Sequence, residues 1–238
     1  MGGSLNVRVK VTTARTEKRV QREYPLWQAY TQRRYTILFY SLLLMLVAMP
    51  AGAKLELPGV LLKLLLGACL VAAVMSNATK RTRWALLIMT LLLVIARMLS
   101  DESWFPPTSP GVLAVYGVIG LVAAGGALRF VVLADKVDRE TLYAALSTYL
   151  LAGLFFGLLY WSIEQTWPGS MSGPDPLTEA NAIYYSFVTL ATLGYGDFLP
   201  KSEIARGLAT FEVIGGQLYL AVMVARLIGV FGSGKKDE

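Results

Sequence analysis

The sequence predicts an all-α membrane protein with six transmembrane helices and a short re-entrant helix between the last two. Three observations predict it. Hydrophobic residues make up 55% of the 238 and charged residues only 16%, with a mean hydropathy of +0.53. A soluble domain carries about 25% charged residues, so this chain is too poor in charge to cover a globular surface. Apolar runs recur at about the 20 residues that a bilayer core demands. The charges between those runs alternate in kind from loop to loop.

The first run extends from Tyr35 to Met49. Its end, "AMPAGAK", has the small residues of a cleavage site, but the basic stretch before it is far longer than a signal peptide's n-region, so a retained helix is expected. The second run follows Pro58 and ends near Ser76, and the third runs from Trp84 to about Leu99. The fourth runs from Gly111 to about Leu133, the fifth from after Glu140 to near Glu164, and the last from near Ile204 to near Phe231. Lys80, Arg81 and Arg83 follow the second run, and Lys136 and Arg139 the fourth. The loop after the first has Lys54 beside Glu56, and the loop after the third has Asp101 and Glu102. By the positive-inside rule both termini lie in the cytoplasm of a multi-pass cell-membrane protein. Asn77-Ala78-Thr79 matches a glycosylation pattern but falls on the inner side. The single cysteine, Cys69, sits in an apolar run and reads as a small core residue. The absence of histidine excludes His-based catalysis and the usual zinc sites.

Residues 1–34 form a basic segment in which Tyr24, Leu26, Trp27 and Tyr30 interleave with arginines and lysines. That composition suits either a segment held on anionic lipids at the inner surface or a solvated tail that sets topology. Residues 35–134 are expected to form a four-helix unit, 135–231 a second unit holding the last two spans and the re-entrant helix, and 232–238 a short cytoplasmic tail. No feature points to nucleic acid, to an enzyme, or to an organic cofactor.

The informative stretch is "AIYYSFVTLATLGYGDFLP". The Pro-, Gly- and Ser-rich run "QTWPGSMSGPDPLTEAN" before it reads as an outer turret loop, with Thr178 as N-cap of a helix from about Ala180 to Thr192. That helix is too short to span, and the chain must return to the outside before the last span. Leu193 to Asp197 is therefore non-helical backbone at membrane depth, tolerated only when buried in protein or lining a water-filled path. Gly194 and Gly196 can adopt left-handed angles that turn carbonyls toward one axis. The helix's C-terminal end adds partial negative charge that favours a cation, and Thr192 adds a hydroxyl.

Here the stretch resembles the selectivity filter and pore loop of potassium channels, on Thr189, Thr192, Gly194, Tyr195, Gly196 and Asp197 with Tyr184-Tyr185 before them. The wider stretch from about Thr141 to Ile228, including "GQLYLAVMVARLIG", is similar to bacterial six-helix ion-channel proteins. The resemblance implies that Thr192, Leu193, Gly194, Tyr195 and Gly196 form a K+-coordinating filter, with the coordinating oxygens on Thr192 to Tyr195. It implies support from Thr189, Tyr184, Tyr185 and Asp197, and a homotetramer around one pore. The expected bond behind the filter is Tyr185 to Asp197. The chain departs from the pattern at Leu193, usually Val or Ile, and at Val188, where some relatives have Glu.

The fourth run carries only Arg129, so voltage sensing is not expected of the accessory helices. Lys63 and Arg97 read as snorkelling to the outer interface, Arg97 also within reach of Asp101. In the last helix Glu212 is an intramembrane carboxylate, with the back of the pore helix as its expected partner. Gly215 and Gly216 are candidates for a gating hinge or for close packing. Gln217, Leu220, Val224 and Ile228 share one helical face and are candidates for the lower pore and gate. Arg226 is expected to face away from the axis. Glu164, Asp175, Glu179, Asp197 and Glu203 give an acidic outer vestibule. The resulting expectation is passive potassium conduction. Alternatives are a weakly selective cation channel, a non-conducting sensor or scaffold that keeps the pore fold, and a transporter's membrane subunit.

Overall fold

In a computed structural model, residues 33–54, 110–134 and 138–233 are described, together with Gly67, Ala68, Ile88 and Leu91. The second and third expected spans, Cys69, Lys63, Arg97 and nearly all of the basic N-terminal segment lie outside the described residues. The described elements are α1 (Arg34–Lys54), α2 (Pro110–Leu133), α3 (Arg139–Thr166), β1 (Met171–Ser172), α4 (Glu179–Leu190), β2 (Leu199–Pro200) and α5 (Glu203–Ser233). Each helix overlaps a segment read from the sequence, whereas the two short strands were not read there. α2, α3 and α5 are long and apolar enough to cross a membrane, so the described residues are mostly helical and suited to a membrane protein.

Sequence chemistry sets the helix starts. Pro110 opens α2 at the one helical turn that tolerates proline. Asp138 caps α3: its carboxylate accepts from the Thr141 N–H at 2.8 Å and the Thr141 hydroxyl at 2.7 Å. Thr178 caps α4 as expected, accepting from Asn181 N–H at 3.1 Å. α1 borrows its cap from a distant residue. The Glu140 carboxylate accepts from the Tyr35 N–H at 3.1 Å and from the Thr36 hydroxyl, setting negative charge at the positive end of that helix.

α2 and α3 form an antiparallel pair whose closeness depends on a missing side chain. A Cβ at Gly120 would lie 2.1 Å from the Phe155 ring. At the other end the Ser162 hydroxyl donates to the Pro110 carbonyl at 2.7 Å. Leu38, Leu42 and Met45 of α1 join Tyr116, Ile119, Leu151, Leu154 and Phe155 in one buried apolar cluster, with Tyr35 stacked on Phe130 at 4.8 Å. α4 then packs on α3: Ile183 and Phe187 fill the spaces left by Gly157 and Gly153.

The turret is closed by a two-residue antiparallel pairing, Met171 with Pro200 and Ser172 with Leu199. Lys201 N–H donates to the Ser170 carbonyl at 2.7 Å. The Glu164 carboxylate accepts the Gly169 and Met171 amides at 2.9 and 2.8 Å. Glu164, expected among the vestibule charges, therefore holds the turret backbone.

The two bonds from Thr141, the backbone one first, hold the Asp138 carboxyl below its ordinary value of 3.8. A lowered folded value stabilises the fold above the ordinary carboxylate range, and the contribution is lost as pH falls from 3.8 through the folded value. Thermal melts of purified protein should show Asp138→Ala costing about 1 kcal/mol at neutral pH and Asp138→Asn much less. Both variants should lose this acid-side dependence.

Candidate ion-binding filter

α4 ends at Leu190, two residues before the expected Thr192, and the reason is local. Ala191 leaves the helix at φ −82° and ψ 0°, with its N–H on the Phe187 and Thr189 carbonyls, and Thr192 turns left-handed at φ +57°. Gly194 and Gly196 follow at +56° and +77°, while Leu193 and Tyr195 between them do not have positive φ. In an ordinary extended strand successive carbonyls point to opposite sides. A run that alternates in handedness turns them to one side, the arrangement a dehydrated cation needs.

The glycines adopt these angles freely, but Thr192 does not, and a β-branched residue there stores roughly 1 kcal/mol or more. The sequence marked Gly194 and Gly196 as left-handed; nothing in it marked Thr192. The start of the run is held by two neighbouring carbonyls of α4. The Val188 carbonyl takes the Leu193 N–H at 2.9 Å and the Gly194 N–H at 3.4 Å, and the Thr192 N–H goes to the Thr189 carbonyl at 2.9 Å. The Val188 side chain is buried. The main chain at Val188 thus braces the filter in a place where the side chain offers no polar group.

Behind the run, the tyrosine pair divides its work differently from expectation. The Asp197 carboxylate interacts with the Tyr184 phenol, not with Tyr185. Tyr185 interacts with the Thr189 side chain and meets the Tyr160 ring edge-on at 4.8 Å. Neighbouring residues on a helix point about 100° apart, so only one of the two can look toward the exit of the run, and Tyr184 does so. The Leu193 and Tyr195 side chains are 58% and 67% exposed on the single chain. No atom lies within 4 Å of where a Cβ would stand on Gly194 or Gly196.

Glu212 is fully buried, at 0% exposure, and it meets the back of the pore helix as expected. Its carboxylate accepts from the Tyr160 hydroxyl of α3 at 2.7 Å and from the Ser186 hydroxyl of α4. One turn further along α5, a Cβ on Gly216 would come within 2.7 Å of Leu190 Cδ1 and 3.2 Å of the Leu190 carbonyl. Gly216 therefore serves close packing. Gly215 has nothing within 4 Å of a Cβ. Gln217, Leu220, Val224 and Ile228 are all uncovered on the single chain. Lower down, the Tyr219 hydroxyl donates to the Ala145 carbonyl. Arg226 donates from both terminal nitrogens to the Val132 and Ala134 carbonyls at the end of α2. Arg226 thus points at the end of α2. Among the described residues no group of three or more His, Cys, Asp or Glu is placed to hold a metal ion.

Over this part of the chain an ion-channel family model matches residues 144–232. An inward rectifier potassium channel, Kirbac3.1 of Paramagnetospirillum magnetotacticum, is 33% identical over 87 residues, covering 35% of this chain and 27% of the relative. The chain thus matches about a quarter of that relative's length. No solved structure matches. The matched stretch runs from early in α3 to near the end of α5 and contains the whole turret, α4 and filter run. Over this part the chain is therefore similar to ion-channel proteins.

The glycine pair on α5 is testable by stability alone. Gly216→Val should lower the melting temperature of purified protein, through overpacking of about 1–3 kcal/mol. Gly215→Ala should leave it unchanged or raise it slightly, since alanine is the better helix former.

Proposed function

We propose that the chain is one subunit of a potassium-selective channel that conducts K+ passively, four copies surrounding one pore. The observation that carries this reading is the alternation of backbone handedness from Thr192 to Gly196. Main-chain carbonyls of Thr192, Leu193, Gly194 and Tyr195, with the Thr192 hydroxyl, supply neutral oxygens that replace the water shell of the ion. Gly196 completes the alternation, and Asp197, held by Tyr184, fixes the outer end. The C-terminal end of α4 aims its partial negative charge at the inner end of this run. One filter strand cannot enclose an ion, and the "TLGYGD" run occurs once in the chain, so identical copies must supply the rest.

In this reading the termini are cytoplasmic, α3 is the outer helix, α4 the pore helix and α5 the inner helix. Gln217, Leu220, Val224 and Ile228 line the lower pore. Asp175, Glu179, Asp197 and Glu203 raise the local cation concentration at the outer mouth. A voltage sensor needs several charges in the field, each contributing about 2.3 kcal/mol per 100 mV. α2 carries Arg129 alone, so the accessory helices act without strong voltage sensing. The basic residues of 1–34 supply a surface for anionic lipids.

The test is ion flux from full-length protein in liposomes. Expected are barium-sensitive K+ flux well above Na+ flux, and loss of that flux in Gly194→Ala, where an L side chain meets φ +56°. Equal K+ and Na+ flux would mark a weakly selective cation channel. No flux in any lipid would favour a sensor or scaffold.

A further inference from the structure

The channel reading leaves Glu212 without a task, yet it is the most completely buried charged-type side chain among the described residues. It sits where three elements meet. Its two oxygens accept one hydroxyl from α3, Tyr160, and one from α4, Ser186. Ser186 precedes by two residues Val188, whose carbonyl holds the Leu193 and Gly194 amides of the filter run. Tyr160 also meets the Tyr185 ring, which lies beside the Thr189 side chain, and the Thr189 carbonyl accepts the Thr192 amide. Both bonds of the carboxylate therefore lead, within one or two residues, to groups that fix the filter backbone. A buried carboxylate is costly to keep in an apolar setting. An apolar side chain would have filled the same space, so stability does not account for it.

We propose that Glu212 is a positioning residue for ion selectivity: bridging Tyr160 and Ser186, it fixes the last turn of α4 and thereby the spacing of the filter carbonyls. It touches no ion and acts through Ser186 and Tyr160. The inference rests on the channel reading, and two measurements keep the two apart. The first is the K+/Na+ permeability ratio of full-length protein in liposomes. Ser186→Ala and Tyr160→Phe should each lower it about tenfold, since a buried polar group then loses its partner. Ser186→Thr, which keeps the hydroxyl, should hold it within about twofold, and Ser186→Ala combined with Glu212→Gln should be no worse than the worse single variant.

The second measurement is amide hydrogen exchange at Leu193 and Gly194, which should speed up in Ser186→Ala and Tyr160→Phe and stay slow in Ser186→Thr. Variants that conduct K+ with the wild-type ratio and exchange at the wild-type rate overturn the positioning role. A wild type that passes no potassium overturns the channel reading instead, and the exchange rates then decide the positioning role alone. Should one variant fail to assemble, the other arm of the bridge gives the same readout.

Discussion

Everything around the filter follows from one constraint. In the proposed channel, five residues of chain that are neither helix nor strand lie where water cannot satisfy their backbone, and such a segment survives only if protein groups hold it. The Val188 carbonyl answers that need at the start of the run, accepting two amides at once. The Tyr184–Asp197 pair and the two-residue strand pairing at the turret answer it at the end. α3 and α5 matter to the filter because they hold α4, and α4 holds Val188. Gly153 and Gly157 of α3 and Gly216 of α5 face α4, where each missing methyl lets the helices come closer.

Much of this was legible in the residues. Long apolar runs, Thr178 as a cap and glycines where the backbone must turn left-handed are local signals, and the structure reproduces them. Glu212 was legible as a carboxylate in an apolar helix with its partner on the pore helix, because an unpaired charge there is too costly to leave alone. Its second partner, Tyr160, was not legible. It lies 52 residues away, and nothing about a tyrosine in an apolar helix marks it as a donor to a distant acid.

The misreading of Tyr185 has a similar origin. Two adjacent tyrosines carry the same chemistry, and sequence spacing alone does not reveal how a short helix is rotated about its axis. That rotation comes from Ile183 and Phe187 seating against Gly157 and Gly153, a long-range fit. Thr192 was hidden for the opposite reason. Local preference argues against a left-handed threonine, and the surrounding bonds override it. The second and third expected spans and the basic N-terminal segment lie outside the described residues.

The three fastenings of α5 have a mechanical consequence. Ser186 and Leu190 hold it at Glu212 and Gly216, Ala145 holds it at Tyr219, and the end of α2 holds it at Arg226. A rod clamped at several places along one edge cannot swing like a door. It moves with the slab to which it is clamped, or it bends in the free length between clamps. Between Tyr219 and Arg226 that length is seven residues, about 10 Å of helix. A pull on α2 therefore reaches the foot of α5 directly, without passing through a connecting loop.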